Sequence, residues 1–321
     1  MIRAAQVISV FFTLIVAFFL WVLMGTPSVA NINKCITTKT YKVSLCDSNP
    51  QYARLSQISP QLKHMIVIAE DASFYSHSGF DKDELKKSIS TNLNAKKLAR
   101  GGSTITQQLA KNVFLPFNKS IIRKLREALL TIQLEKILSK NQILEKYLNV
   151  IEFGPHIYGV QSAAKYYFNK SPSELNLLES AFLVFLVPNP KSYAQSFRNK
   201  KLTPYAKYRI LDLCYRMYRF NKITFAQYEE AKALVNDFPW TDLTTTQQDA
   251  LNGIAPDSEV PTLTEVPSED KPDTDESVEP VEPPEEVEND SPDGEVHENP
   301  ITTDLPPESN EPTTTEEPFE Q

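Results

Sequence analysis

The chain has 321 residues, of which 41% are hydrophobic and 23% charged, enough for one or two domains. Its net charge of −8 averages two opposed parts: residues 241–321 carry 25 Asp or Glu and one Lys, a balance of −24, while residues 1–240 carry 32 Lys or Arg and 16 acids, a balance of +16. A basic body of that size suits an anionic partner (a phosphate-bearing substrate, a membrane surface or nucleic acid), and four scattered histidines with three cysteines lack the spacing of a zinc-type site.

The first element is an apolar run from Ala4 to Met24. About 20 helical residues at about 1.5 Å each span about 30 Å, one hydrocarbon core. A cleaved signal peptide is the rival, with Ser28-Val29-Ala30 as a small-x-small site, but the run exceeds the usual signal core of about 7–15 residues and favours an uncleaved anchor. Arg3 stands on one side and Lys34, Lys39 and Lys42 on the other, so flanking charge does not set the orientation. Cys35 and Cys46 flank a short segment after the anchor, where an oxidising compartment would allow a disulfide.

Helical patterns follow. Gln61 to Ala69 is apolar and ends at Glu70-Asp71, and Asp81 to Leu98 reads as a second helix. Thr104 and Gln107 form a capping box that opens a helix closed by Pro116. Ser120 caps a long helix to Leu138, with apolar residues at helical spacing. Ser171-Pro172-Ser173-Glu174 starts a helix expected to run to Val187. Cys214 lies in an apolar helical pattern as a buried thiol, and Thr224 with Gln227 starts the last helix. No alternating stretch of useful length appears, so the expected body is all-α. From about 243 the chain is rich in Pro, Glu, Asp, Thr and Ser, and is expected to be disordered because it cannot bury enough surface to offset its chain entropy.

Two stretches carry the chemistry: Glu70-Asp71-Ala72-Ser73-Phe74-Tyr75-Ser76-His77-Ser78-Gly79, and Arg100-Gly101-Gly102-Ser103-Thr104-Ile105-Thr106-Gln107-Gln108 running on to Lys111-Asn112. Arg123-Lys124-Leu125-Arg126-Glu127, Tyr147-Leu148-Asn149 with Glu152-Phe153-Gly154 and Tyr158-Gly159, and Leu186-Val187-Pro188-Asn189-Pro190 follow in order. Together they resemble the five motifs of the bacterial peptidoglycan glycosyltransferases of family 51, over roughly residues 50–220. The resemblance is closest to the monofunctional biosynthetic type, which lacks a transpeptidase. Ser162-Ala163-Ala164-Lys165 has transpeptidase-like spacing, but it falls inside the fourth motif and no Lys-Thr-Gly follows.

Each residue also has a plainer reading. Glu70 alone would be a helix-end surface carboxylate, Gly101-Gly102-Ser103 a turn, and Arg123 with Glu127 a solvated i,i+4 pair worth a few tenths of a kcal/mol. A carboxylate beside apolar walls nevertheless has a raised pKa and serves as a base. Glycines before a capped helix offer backbone N–H groups to an anion.

The resemblance implies that Glu70 is the base and Glu127 the second catalytic carboxylate. It implies that Asp71, Gly102, Ser103, Thr104, Gln107, Gln108, Lys111, Asn112, Lys119, Arg123 and Lys124 bind substrate around a diphosphate. Lys119 stands where many members carry Arg, keeping the charge but losing the bidentate fork. His77, Glu152 and Tyr158 are implied to be structural. The family also allows a divalent metal, Mg or Mn, with Glu127 as ligand, and no organic cofactor.

The implied fold is a lysozyme-like lobe with a small membrane-proximal jaw. Expected boundaries are 1–4 for a cytoplasmic N-terminus, 5–24 for the transmembrane anchor, 25–50 for a membrane-proximal segment, 51–240 for the glycosyltransferase domain and 241–321 for the acidic tail. The implied setting is the outer side of the cytoplasmic membrane. The implied partners are lipid II, the growing glycan strand and other cell-wall synthesis proteins, with no nucleic acid. The rivals are a lysozyme-like hydrolase using Glu70 as general acid and a non-catalytic envelope adaptor.

Overall fold

The computed structural model describes residues 2–39, 41–86, 102–116, 118 and 120–253. Helix dominates them. The N-terminal run forms α1 (Ile2–Met24), and its stretch Gln6–Met24, with mean hydropathy 2.8, is long and apolar enough to cross a membrane.

Two short hairpins depart from the all-helical expectation. β1 (Ile36–Thr37) pairs antiparallel with β2 (Ser44–Leu45), and a Cys35–Cys46 disulfide closes that hairpin. Strands of two residues are too short for alternation to show in sequence.

The helices α2 (Pro60–Glu70), α3 (Ile105–Phe114), α4 (Ile121–Ile137) and α5 (Lys140–Val150) come next. β3 (Glu152–Gly154) then pairs antiparallel with β4 (Ile157–Tyr158) across an irregular register, and Tyr158 stacks on Tyr41 at 4.5 Å, joining the two hairpins. α6 (Val160–Phe168), α7 (Leu177–Leu186), the short α8 (Pro190–Tyr193) and α9 (Gln195–Arg198), α10 (Pro204–Arg219), α11 (Phe225–Leu234) and α12 (Thr245–Asn252) complete the order.

Every residue of α7 is buried, which its apolar run from Leu177 to Leu186 dictates. It packs against α2 and α10, while α3 packs against α4 and α5. Each fully buried Leu or Phe there stabilises the fold by about 1.5–3 kcal/mol. These contacts hold α2 and α3, the two helices that carry the first two motifs.

Local start signals are read in the structure as in the sequence at Thr104, Ser120 and Thr224, whose side chains accept from the N–H groups of Gln107, Arg123 and Gln227. Elsewhere the structure corrects the expectation. The Ser171 capping box closes only a 3-10 turn, Pro172–Glu174. Leu175 is extended, and a second box of Asn176 with Glu179 starts α7. The second signal wins because Asn176 and Glu179 go into the core with the apolar run, Glu179 being held by Lys170 at 2.7 Å.

The boundary expected at 241 also moves. Thr244 and Gln247 cap α12, Leu251 is fully buried, and its carbonyl accepts from Gln61 Nε2 at 2.5 Å. One buried leucine in a polar stretch is too weak a pattern to read in advance. The helix expected over 81–98 is described only at 82–86, and the disorder expected of 254–321 falls outside the described residues.

Candidate active site

Glu70 is the last residue of α2, whose Leu62, Met65, Ile66 and Val67 are buried. Glu70 is half-buried, and Gln108 Nε2 donates to its Oε2 at 2.8 Å. The buried Tyr147 hydroxyl donates to Gln108 Oε1 at 3.1 Å, which aims the amide nitrogen at Glu70. Burial pushes the Glu70 pKa up and outweighs the Gln108 bond and the charges of Lys111 and Arg216, while Asp71 adds to the rise. The helix C-terminus, with its partial negative charge, acts in the same direction.

Asp71 ties the first motif to the second. Its buried carboxylate meets His77 Nε2 at 2.8 Å through Oδ1 and accepts the Ile105 N–H at 2.9 Å through Oδ2. His77 Nδ1 accepts from the Gly79 N–H at 3.1 Å, which assigns the ring proton to Nε2. Gly79 has φ +93°, and its carbonyl accepts from Thr104 Oγ1 at 2.7 Å. Asp71 thus places a carboxylate of the protein's own at the N-terminus of α3, on the Ile105 N–H.

The cations gather around Glu127, which is 2% exposed. Lys124 Nζ holds its Oε1, and Arg123 Nη1 approaches its Oε2 at 3.5 Å. Lys124 also donates to Ser103 Oγ at 3.1 Å. Arg123 Nε is buried and makes no hydrogen bond within the described residues. Lys111 keeps an open face to solvent, yet the surrounding protein lowers its pKa. Glu127 and Glu70 oppose that shift, whereas Arg123 and Lys124 reinforce it. Lys111 thus feels both carboxylates. A cleft of about 250 Å³ is lined by Glu70, Asp71, Gly102, Ser103, Thr104 and Arg216, among others.

The remaining expected residues sort as follows. Gln107 is buried in the capping box with Thr104, and Asn112 lies half-buried one turn beyond Gln108. Glu152 and Tyr158 face each other across the β3–β4 pair and do not line the Glu70 cleft. Lys119 lies outside the described residues. Among those residues no group of three His, Cys, Asp or Glu side chains could hold a metal, and both Glu127 oxygens already face cations. Glu127 therefore does not fit direct metal ligation.

Residues 37–215 match the family model described as transglycosylase. The biosynthetic peptidoglycan transglycosylase of Nitrosospira multiformis is 42% identical over 176 residues, covering 55% of this chain and 76% of that protein. The one from Chromobacterium violaceum is 47% identical over 137 residues, 43% of this chain and 60% of the relative. The one from Acinetobacter baumannii is 45% identical over 154 residues, 48% of this chain and 68% of the relative. The chain belongs to the transglycosylase family.

Two residues of this transglycosylase's site escaped the sequence reading. Arg216, from α10, donates to the Ile68 carbonyl and lines the cleft, yet it is only one more Arg in a basic amphipathic helix. Tyr147 stood within a motif, but nothing local joined it to Gln108, 39 positions earlier.

Proposed function

We propose that this transglycosylase, a peptidoglycan glycosyltransferase, polymerises lipid II into glycan strands by inverting transfer. Glu70 takes the proton from the acceptor GlcNAc 4-hydroxyl. The acceptor oxygen forms its bond to the anomeric carbon of the donor MurNAc as the bond to the polyprenyl diphosphate breaks. The bonding pair leaves with the diphosphate, whose charge Lys111, Arg123 and Lys124 offset. Glu127 orients two of those cations, and Gln108 fixes the base. Ser103 and Gly102 border the donor phosphates, with Lys119 and Asn112 as further contacts. Asp71, Thr104, Gln107 and His77 act by holding the two motif loops together. A divalent cation would arrive with the diphosphate.

The observation that carries this reading is a carboxylate with a raised pKa facing, through Lys111, the Arg123–Lys124–Glu127 cluster. A hydrolase acting through Glu70 as general acid has no need of that cluster. The fold reading is a lysozyme-like lobe with a membrane-proximal jaw. α1 would anchor it once in the cytoplasmic membrane with the body on the outer side. The Cys35–Cys46 disulfide, which an oxidising compartment preserves, supports that side. The deciding experiment incubates the protein in detergent with lipid II, and in parallel with polymeric glycan. Strand formation from lipid II supports the reading. Degradation of polymer without strand formation overturns it.

A further inference from the structure

A second cavity, of about 240 Å³, lies behind α2. Lys63, His64 and Lys222 give it polar walls over an apolar floor that includes Val67, Ile68 and Phe220, and among the described residues no acidic side chain lines it. Ile68 and Ala72 line both this cavity and the Glu70 cleft. Burial lowers the pKa of Lys63 and of Lys222, and burial with those two lysines holds His64 down to about 4. The walls thus set two desolvated lysines beside an imidazole that is uncharged at neutral pH. Lys63 Nζ reaches the Leu55 carbonyl at 3.2 Å and forms no ion pair with a described carboxylate. Such a cavity attracts a carboxylate attached to a short apolar body.

The chain itself carries that chemistry in the residues that follow the described body. The described body ends at Gly253, whose carbonyl accepts from Gln227. Two residues earlier the Leu251 carbonyl accepts from Gln61, on the same α2 turn as Lys63 and His64. Residues 254–271 follow, with Asp257, Glu259, Glu265, Glu269 and Asp270 among Ile254, Val260, Leu263 and Val266. Eighteen residues reach about 60 Å when extended, and a tether of this kind supplies millimolar effective concentration. We propose that the acidic stretch 254–271 docks in cis at this cavity, its carboxylates against Lys63 and Lys222. The seat lies directly behind the last turn of α2, which carries Glu70. It does not depend on the transferase reading.

The test uses the full chain in detergent with a water-soluble carbodiimide, which joins carboxylates to lysines in contact. At about 0.05 M salt, mass spectrometry should find Lys63 or Lys222 linked to acids of 254–271, in protein of monomer mass. The yield should fall at least fivefold in about 1 M salt, where the Debye length is about 3 Å. The variant D257N/E259Q/E265Q/E269Q/D270N alters nothing in the described body and should lose these links. Lys63→Gln should shift the remaining links to Lys222. Links confined to dimers would replace docking in cis with docking between copies. Links spread evenly over the other surface lysines, or none at Lys63 and Lys222, would overturn the proposal.

Discussion

At the scale of single residues, Glu70 stores a conflict between catalysis and stability. Its folded-state pKa lies above its unfolded value because burial disfavours the charge. In the pH window between those values the folded chain binds the extra proton, so stability falls as pH rises through it and stays lower at neutral pH. Glu70→Gln removes the charge and keeps the shape and the contact with Gln108. Polymerisation should drop by about 10²–10⁴-fold, the usual cost of losing a positioned base. The melting temperature at neutral pH should rise, because the variant carries no charge that burial disfavours. An unchanged rate, or a lower melting temperature with lost activity, would show that Glu70 is structural. The same shift places the acid limb of the activity profile above the ordinary carboxylate range, which a pH series on the wild type measures. For the cations, Lys111→Ala and Arg123→Ala should each weaken a diphosphate-mimicking inhibitor by roughly 1.5–3 kcal/mol, the worth of a bond to a charged group. Equal inhibitor affinity in both variants would exclude the clamp.

At the scale of elements, the site depends on how α2 and α3 are joined. Asp71 carries that joint, since it caps the α2 end, accepts from Ile105 at the start of α3 and holds His77. Asp71→Ala leaves the buried Ile105 N–H without its acceptor, at a cost of roughly 1–3 kcal/mol. Chemical denaturation should show that loss with the slope unchanged, and equal midpoints for mutant and wild type would remove Asp71 from this role. The caps at Thr104, Ser120 and Thr224 were legible in the sequence because a capping bond spans only three residues. The joint was not, because Asp71 meets Ile105 across 34 positions and Arg216 meets Ile68 across 148. The motif resemblance placed Asp71 among the residues around the diphosphate, and the contacts with His77 and Ile105 add a bracing part that the motif alone did not specify. The misplaced start of α7 has the opposite origin. Two complete capping boxes compete within nine residues, and only burial of the second decides between them.

At the scale of the whole molecule, a body of +16 is followed by a segment of −24 that belongs to it more closely at its beginning than composition suggests. The sequence marks the change of character near 243, but the packed body continues to Gly253. α12 buries Leu251 completely, supplies its carbonyl to Gln61 at 2.5 Å and brings Gln248 to within 3.4 Å of Lys170. Lys170 in turn neutralises the buried Glu179 at the start of α7, the helix against which α2 packs. Two truncations should therefore behave differently. Ending the chain after 253 removes most of the acidic charge and leaves every described contact in place, so polymerisation in detergent and the melting temperature should both hold near wild type. Ending it after 242 removes a buried leucine, worth about 2 kcal/mol by area, and the partner of a buried amide, worth about 1 kcal/mol more. The melting temperature should then fall by several degrees, and activity should decline at temperatures where the longer form persists. Equal stability of the two truncations would mean that α12 lies on the body without supporting it. Lost activity in the 253 form at unchanged stability would assign the acidic segment a direct part in catalysis.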